Sequence, residues 1–345
     1  MKKKIMYLDV ARILATLAVI VIHVASSIPN WTVFGFDTYE WNVFNVFAGC
    51  SRWAVPVFCM ISGSLFLDPD RKVDTKKLYT KNIFRMGVSF AFWSAFYLLV
   101  RFEVNRTLTP AKLIQKFVLG NYHMWFIFLI VCFYIVVPVL RKITEDKGTA
   151  KYFGAVSIIF TIVLPALMLH PKLDWTSKGL DKAFFFFPLG YTCYFLLGYF
   201  INKFEMKKWL KAAIYILGPI SFIVAVKLTS SISQELNTYY GVFYRYDSIT
   251  VLFQSLFIFV ATKDIVEKIK FTPKSEKLLS VISKDTFGIY MIHPAVIIIF
   301  GRLNLHSATF NPLLCVPFIV ILATVISEVI SHILNKIPGV KKYLV

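Results

Sequence analysis

Arg12 and His23 stand eleven residues apart in the apolar stretch YLDVARILATLAVIVIHV, residues 7–24. A charge or an ionisable ring inside hydrocarbon is costly, so each needs a partner or a task. At about 100° and 1.5 Å per residue, this spacing puts both on one helix face, ~16 Å apart along the axis. Asp9 precedes Arg12 by three residues and shares that face. One end therefore offers a guanidinium suited to anions, and the other an imidazole that can take or pass a proton. The stripe alone also admits blander readings. Arg12 can snorkel to water with Asp9 as its partner, and His23 can be a hydrogen-bonding residue between helices. The pair can also line a proton pathway in a transporter.

Other apolar runs place charge at similar depths. Arg52, in SRWAVPVFCMISG, falls near a mid-plane, and Glu328, in ATVISEVISH, near the depth of Arg12. A buried Arg–Glu or Arg–Asp pair between helices would bolt them together, or would hold Arg12 in position for a ligand. Arg85, Arg101 and Lys227 sit near span ends, where snorkelling suffices to explain them. His293 precedes Pro294 near the middle of a run, so it reads as a structural hydrogen-bonding residue or as a member of a site. Three loop stretches carry aromatic and polar groups: NWTVFGFDTYEW at 30–41, GNYHMWF at 120–126 and NTYYGVFYRYDS at 237–248. They read as an interfacial belt, or as a vestibule where flat rings stack on the apolar faces of a sugar.

The elements that must position these groups are membrane helices. The chain has 345 residues, 57% of them hydrophobic and 17% charged. A soluble domain of this length would be far less apolar. Runs long enough to cross a bilayer recur throughout. They define ten expected spans at 7–27, 42–67, 83–103, 124–140, 152–169, 184–201, 211–228, 248–262, 279–299 and 312–334. The fold class is thus an all-α polytopic bundle, with residues 1–345 as one domain. An even span number puts both termini on one side. The segments on that side hold 24 Lys and Arg, against 8 on the other, which assigns the termini to the cytoplasm.

The formal net charge of +19 follows from that bias and from contact with anionic lipid. No basic stripe with interleaved aromatics lies outside the spans, so nucleic acid is not an expected partner. The five cysteines lie in or beside apolar runs with no metal-ligand spacing, so neither a disulfide nor a metal is expected. MKKK followed by an apolar run mimics a signal peptide, but Asp9 and Arg12 favour an uncleaved first span. Nothing in the pattern decides whether the chain forms a homo-oligomer.

Arg12 to His23 resembles the Arg-x10-His signature of the acyltransferase-3 family of multi-pass membrane enzymes. Four further stretches are similar to that family's motifs, in order: SRWAVPVFCMISGSLF (51–66), HMWFIFLIVCFYIVVPVL (123–140), FFFFPLGYTCYFLLGYF (184–200) and ISKDTFGIYMIHP (282–294). The resemblance covers nearly the whole chain, and is nearest the compact form without an appended extracytoplasmic domain. One departure is that the family's doubled-Arg cluster before the third span is replaced here by KLYTKNIFRMG, with Lys77, Lys81 and Arg85.

The resemblance implies an enzyme of the bacterial cytoplasmic membrane. It would move an acyl group, usually acetyl, from cytosolic acyl-CoA to a hydroxyl of a glycan or lipid-linked sugar. His23 would be general base or transient acyl carrier. Arg12, with Lys81 and Arg85, would face the phosphates of CoA. Arg52 would stabilise the oxyanion, and His123, Trp125 and His293 would face the acceptor. Asp9 and Glu328 would be structural charge partners. The competing class is a transporter or flippase of a lipid-linked glycan or small molecule. Against it, the sequence shows no inverted repeat and no matched pair of broken helices.

Overall fold

Hydrocarbon offers no water to backbone N–H and C=O groups, so an apolar segment that enters it must pair them internally. The computed structural model describes residues 6–26, 33–168 and 190–345, and every regular element among them is helical. Nine helical segments among the described residues are long and apolar enough to cross a membrane. The first is α1, Met6–Ala25. The second, Tyr39–Phe66, divides into α2 (Tyr39–Gly49) and α3 (Ala54–Phe66). The third passes through a π-helical turn, Leu78–Ile83, into α4 (Phe84–Val100). An outer helix, α5 (Pro110–Leu119), precedes α6 (Trp125–Glu145) and α7 (Lys147–Ile158). Then come α8 (Thr192–Lys203), α9 (Lys208–Leu236), α10 (Ile249–Lys268), α11 (Pro273–Arg302) and α12 (Pro312–Leu334). Residues 184–189 of the expected sixth span lie outside the described residues, and α8 is its described part. The lysines at 2–4, 172, 178 and 182 and the start of the 30–41 loop also lie outside them.

Helix ends depart from the apolar runs where capping carries a helix onward. The run at 279–299 belongs to a helix that starts at Pro273, where Thr272 Oγ1 accepts from the Ser275 amide at 3.2 Å. Ser248, by contrast, caps α10 at the expected start of its span, with Oγ accepting from the Val251 amide at 3.2 Å. The break in the second span has a sequence cause. Pro56 has no N–H for the Arg52 carbonyl, so the turn at 50–53 is left without that helical bond.

Helix α1 packs against α3, α10, α11 and α12. Ala11, Ala15, Ala18, Ile22 and Ala25 recur at steps of four and three and are all buried. Small side chains at that spacing let neighbouring backbones come close. The closest approach in the bundle is between α3 and α8. A Cβ on Gly63 would lie 1.7 Å from the Phe195 carbonyl oxygen, and one on Gly198 would lie 2.0 Å from that of Met60. Ser64 Oγ donates across this contact to the Gly198 carbonyl at 2.8 Å. Below it, Arg141 of α6 donates to the carbonyls of Phe66 and Asp68, at 2.7 and 2.9 Å, and pins the loop after α3.

Gly63→Ala or Gly198→Ala therefore forces backbone apart and should cost about 1–3 kcal/mol or more. Gly87→Ala, with nothing within 4 Å of its Cβ, is the matched control. Thermal unfolding in detergent should show a clear loss for the first two and no loss for the third.

Candidate functional site

The inner end of the α1 stripe is a small polar cluster. Arg12 donates to Ser283 Oγ on α11 at 3.0 Å and lies 3.5 Å from Asp9. Ser283 in turn donates to Asp9 at 2.7 Å, so one hydroxyl ties the helical ion pair to a second helix. Arg12 keeps about a quarter of its side-chain surface exposed. Tyr134 of α6 is within electrostatic range of both Arg12 and Arg85, which brings those two cations to one region. Arg85 donates to the Val345 carbonyl and lies over the Phe287 ring, while Lys81 is exposed in the π-helical turn. Among the described residues Arg12 has no ion pair with Glu328. Glu328 instead sits beside Asp285 and His332, with one ligand atom of each within 4.8 Å of the others. Depth along the axis matched Glu328 to Arg12, but the angular position of α12 turns it toward α11.

The outer end of the stripe gathers three histidines from three helices or their approaches. His23 Nδ1 and His293 Nε2 are 2.7 Å apart. The His123 ring centroid lies 6.4 Å from that of His23 and 5.9 Å from that of His293. His293 and His123 are buried, whereas His23 is half-buried. Two tyrosines fix the frame. Tyr97 of α4 donates to the Met291 carbonyl at 2.6 Å, and Tyr290 of α11 donates to the His123 carbonyl. The His123 Nδ1 faces the Asn121 amide at 3.2 Å, and its Nε2 is buried with no partner among the described residues.

His23 is half-buried because it opens into a cavity of about 470 Å³. Arg52, Arg101, Tyr122 and His306 share the wall. The turn between α2 and α3 delivers Arg52, whose Nε is buried without a hydrogen-bond partner among the described residues and whose guanidinium lies over Tyr244 at 5.3 Å. Tyr122 meets His23 edge-on, with centroids 5.0 Å apart. Trp125 is not on this wall. It stacks with Tyr246 at 5.9 Å and 29°, uniting the 120–126 and 237–248 aromatic loops. Between the two ends of the stripe, Thr16 and Val19 occupy the same face and are buried.

The structure thus places His23 and Arg52 on one cavity, with His293 and His123 behind His23, and Arg12 near Arg85 at the other end. Ser283, Tyr122, Arg101 and His306 were not among the site residues read from sequence. Ser283 lay inside the ISKDTFG stretch without a role, and Tyr122 was one of many loop aromatics. Arg101 was set aside as a snorkelling anchor because its span-end position is equally suited to that.

A family model described as an acyltransferase domain matches residues 5–332. The chain belongs to the acyltransferase-3 family. No curated protein and no solved structure matches it. The chain is therefore a multi-pass membrane acyltransferase, and the His23 cavity is the candidate site of its chemistry.

Burial orders the acyltransferase's histidines by access. Diethyl pyrocarbonate added to the protein in nanodiscs should modify exposed His306 and cavity-facing His23, and spare His123 and His293. Peptide mass mapping reads the order. Labelling of His293 as fast as His23 would contradict it.

Proposed function

We propose that this acyltransferase moves an acyl group, acetyl in the simplest case, from cytosolic acyl-CoA to a hydroxyl of an extracytoplasmic or lipid-linked glycan in the bacterial cytoplasmic membrane. The observation that carries the reading is the His23 imidazole facing a cavity of about 470 Å³ at one end of a helix face whose other end holds Arg12. The charge bias of the loops assigns the Arg12 end to the cytosol.

At that end Arg12 and exposed Lys81 suit the phosphates of CoA, since a guanidinium binds them by paired hydrogen bonds and an ammonium as a point charge. Arg85 already donates to the Val345 carbonyl and contributes mainly field. The ~16 Å from Arg12 to His23 is comparable to the reach of a pantetheine arm. Thr16 and Val19 fill that face, so side chains around them must part for an arm to pass.

The acceptor hydroxyl attacks the thioester carbonyl carbon as His23 Nε2 takes its proton. The C–O bond forms and the carbonyl oxygen becomes an oxyanion. Arg52, and Arg101 across the same cavity, carry donors suited to that charge. Collapse breaks the C–S bond, and the thiolate of CoA leaves with the proton from the His23 imidazolium. An acyl-imidazole on His23 is the two-step form of the same transfer. The Trp125–Tyr246 stack supports binding of a sugar face on the outer side.

Acetyl-CoA binding and acetyl transfer measured on variants test the assignment. His23→Ala should lower transfer by ~10²–10⁴-fold with acetyl-CoA affinity retained. Arg12→Ala should weaken acetyl-CoA binding by about tenfold or more, as loss of a charged hydrogen bond does. Wild-type transfer by His23→Ala would remove the base, and unchanged affinity in Arg12→Ala would remove the anchor. Glycan flux in proteoliposomes without acyl-CoA would favour a transporter.

A further inference from the structure

The two hydrogen bonds along His293 and His23 leave one self-consistent arrangement of protons. His293 Nδ1 lies 3.0 Å from the carbonyl oxygen of Ile289, four residues earlier on the same helix. A carbonyl can only accept, so His293 Nδ1 carries a hydrogen. In a neutral ring the other nitrogen, Nε2, is then a bare acceptor. That nitrogen is the one 2.7 Å from His23 Nδ1, so His23 Nδ1 must donate. His23 Nε2 is left with its lone pair free. It has no partner among the described residues, and its ring lines the cavity. The ring planes lie within 6° of each other, with centroids 5.0 Å apart. The difference between that separation and the N···N distance is about two ring radii. The rings are therefore coplanar and end to end, with the shared proton on the line between them.

The backbone supports the starting point of this chain. Pro294 follows His293 and brings no N–H to the helix, so the Tyr290 carbonyl, next to the Ile289 carbonyl that His293 bonds, lacks its usual helical donor. His293 is fully buried, so no water competes for its nitrogens. Tyr97 holds the adjacent Met291 carbonyl and keeps this turn in place.

We propose that His293 is the positioning residue for His23. It fixes the Nδ1–H tautomer of His23, aims the bare Nε2 at the cavity, and accepts a hydrogen bond from the His23 imidazolium while that ring holds a proton. The role parallels that of the carboxylate behind a catalytic histidine, but with a neutral acceptor oriented by a backbone carbonyl. It rests on the reading of His23 as the base, and it gives His293 a task that does not involve touching the acceptor.

The test uses the full chain in nanodiscs with ¹⁵N-histidine, and acetyl-CoA with octyl β-glucoside as a model lipid-linked sugar. Wild-type ¹⁵N spectra should show His23 protonated at Nδ1 and bare at Nε2; a majority of the opposite tautomer overturns the proposal whatever the activity. His293→Ala should mix the His23 tautomers and lower kcat by ~10²–10⁴-fold, with the KM for acetyl-CoA changed less than about threefold. His293→Gln, whose carbonyl oxygen can accept from His23 Nδ1, should recover at least tenfold of that loss. Wild-type kcat in His293→Ala, or equal loss in the Ala and Gln variants with the His23 tautomer unchanged, overturns it. Wild-type transfer by His23→Ala would instead remove the base itself, a failure read separately from the tautomer.

Discussion

A helix that carries Asp9, Arg12 and His23 cannot face lipid. Unpaired charge at bilayer depth costs several kcal/mol, and the rest of the bundle has to enclose the helix that bears it. The small residues of α1 make enclosure possible, because Ala11, Ala15 and Ala18 let neighbours pack at short range. Helices α2, α3, α10, α11 and α12 pack on it, and α11 supplies partners at both ends: Ser283 for the Asp9–Arg12 pair and His293 for His23. The glycine crossing joins α3 of this shell to α8.

The same enclosure shapes the chemistry. An imidazole enclosed by protein feels nearby charges more strongly than it would in bulk water. The guanidiniums of Arg52 and Arg101 are cations on the wall where negative charge would develop. Arg12, at the far end of the stripe, is kept apart from the imidazole by Thr16 and Val19. On the proposed function, one end holds an anion and the other moves a proton.

Much of this was legible in the sequence. Hydropathy and the 24-to-8 charge split defined the helices and their alternation, and helical geometry put Arg12 and His23 on one face. What could not be read was which faces meet. His293 lies 270 residues from His23, and only the packing of α11 on α1 brings the rings together. Glu328 shows the same limit from the other side. Its depth suited Arg12, but rotation about the axis of α12 sends it to Asp285 and His332. The start of α11 was misplaced because Thr272 caps a helix that begins at Pro273, well before the apolar run at 279–299, and hydropathy does not register caps. Arg101 was ambiguous because a snorkelling anchor and a cavity-lining cation occupy the same position along a span.

On the proposed function, one helix face connects a donor on the cytosolic side with an acceptor on the other. Proteoliposomes of uniform orientation, with radiolabelled acetyl-CoA confined to the Arg12 side and a glycan acceptor confined to the His23 side, measure that directly. The account predicts acetylated acceptor on the His23 side, with one free CoA released on the Arg12 side for each acetyl transferred. Acetylation only when donor and acceptor share a compartment would contradict it.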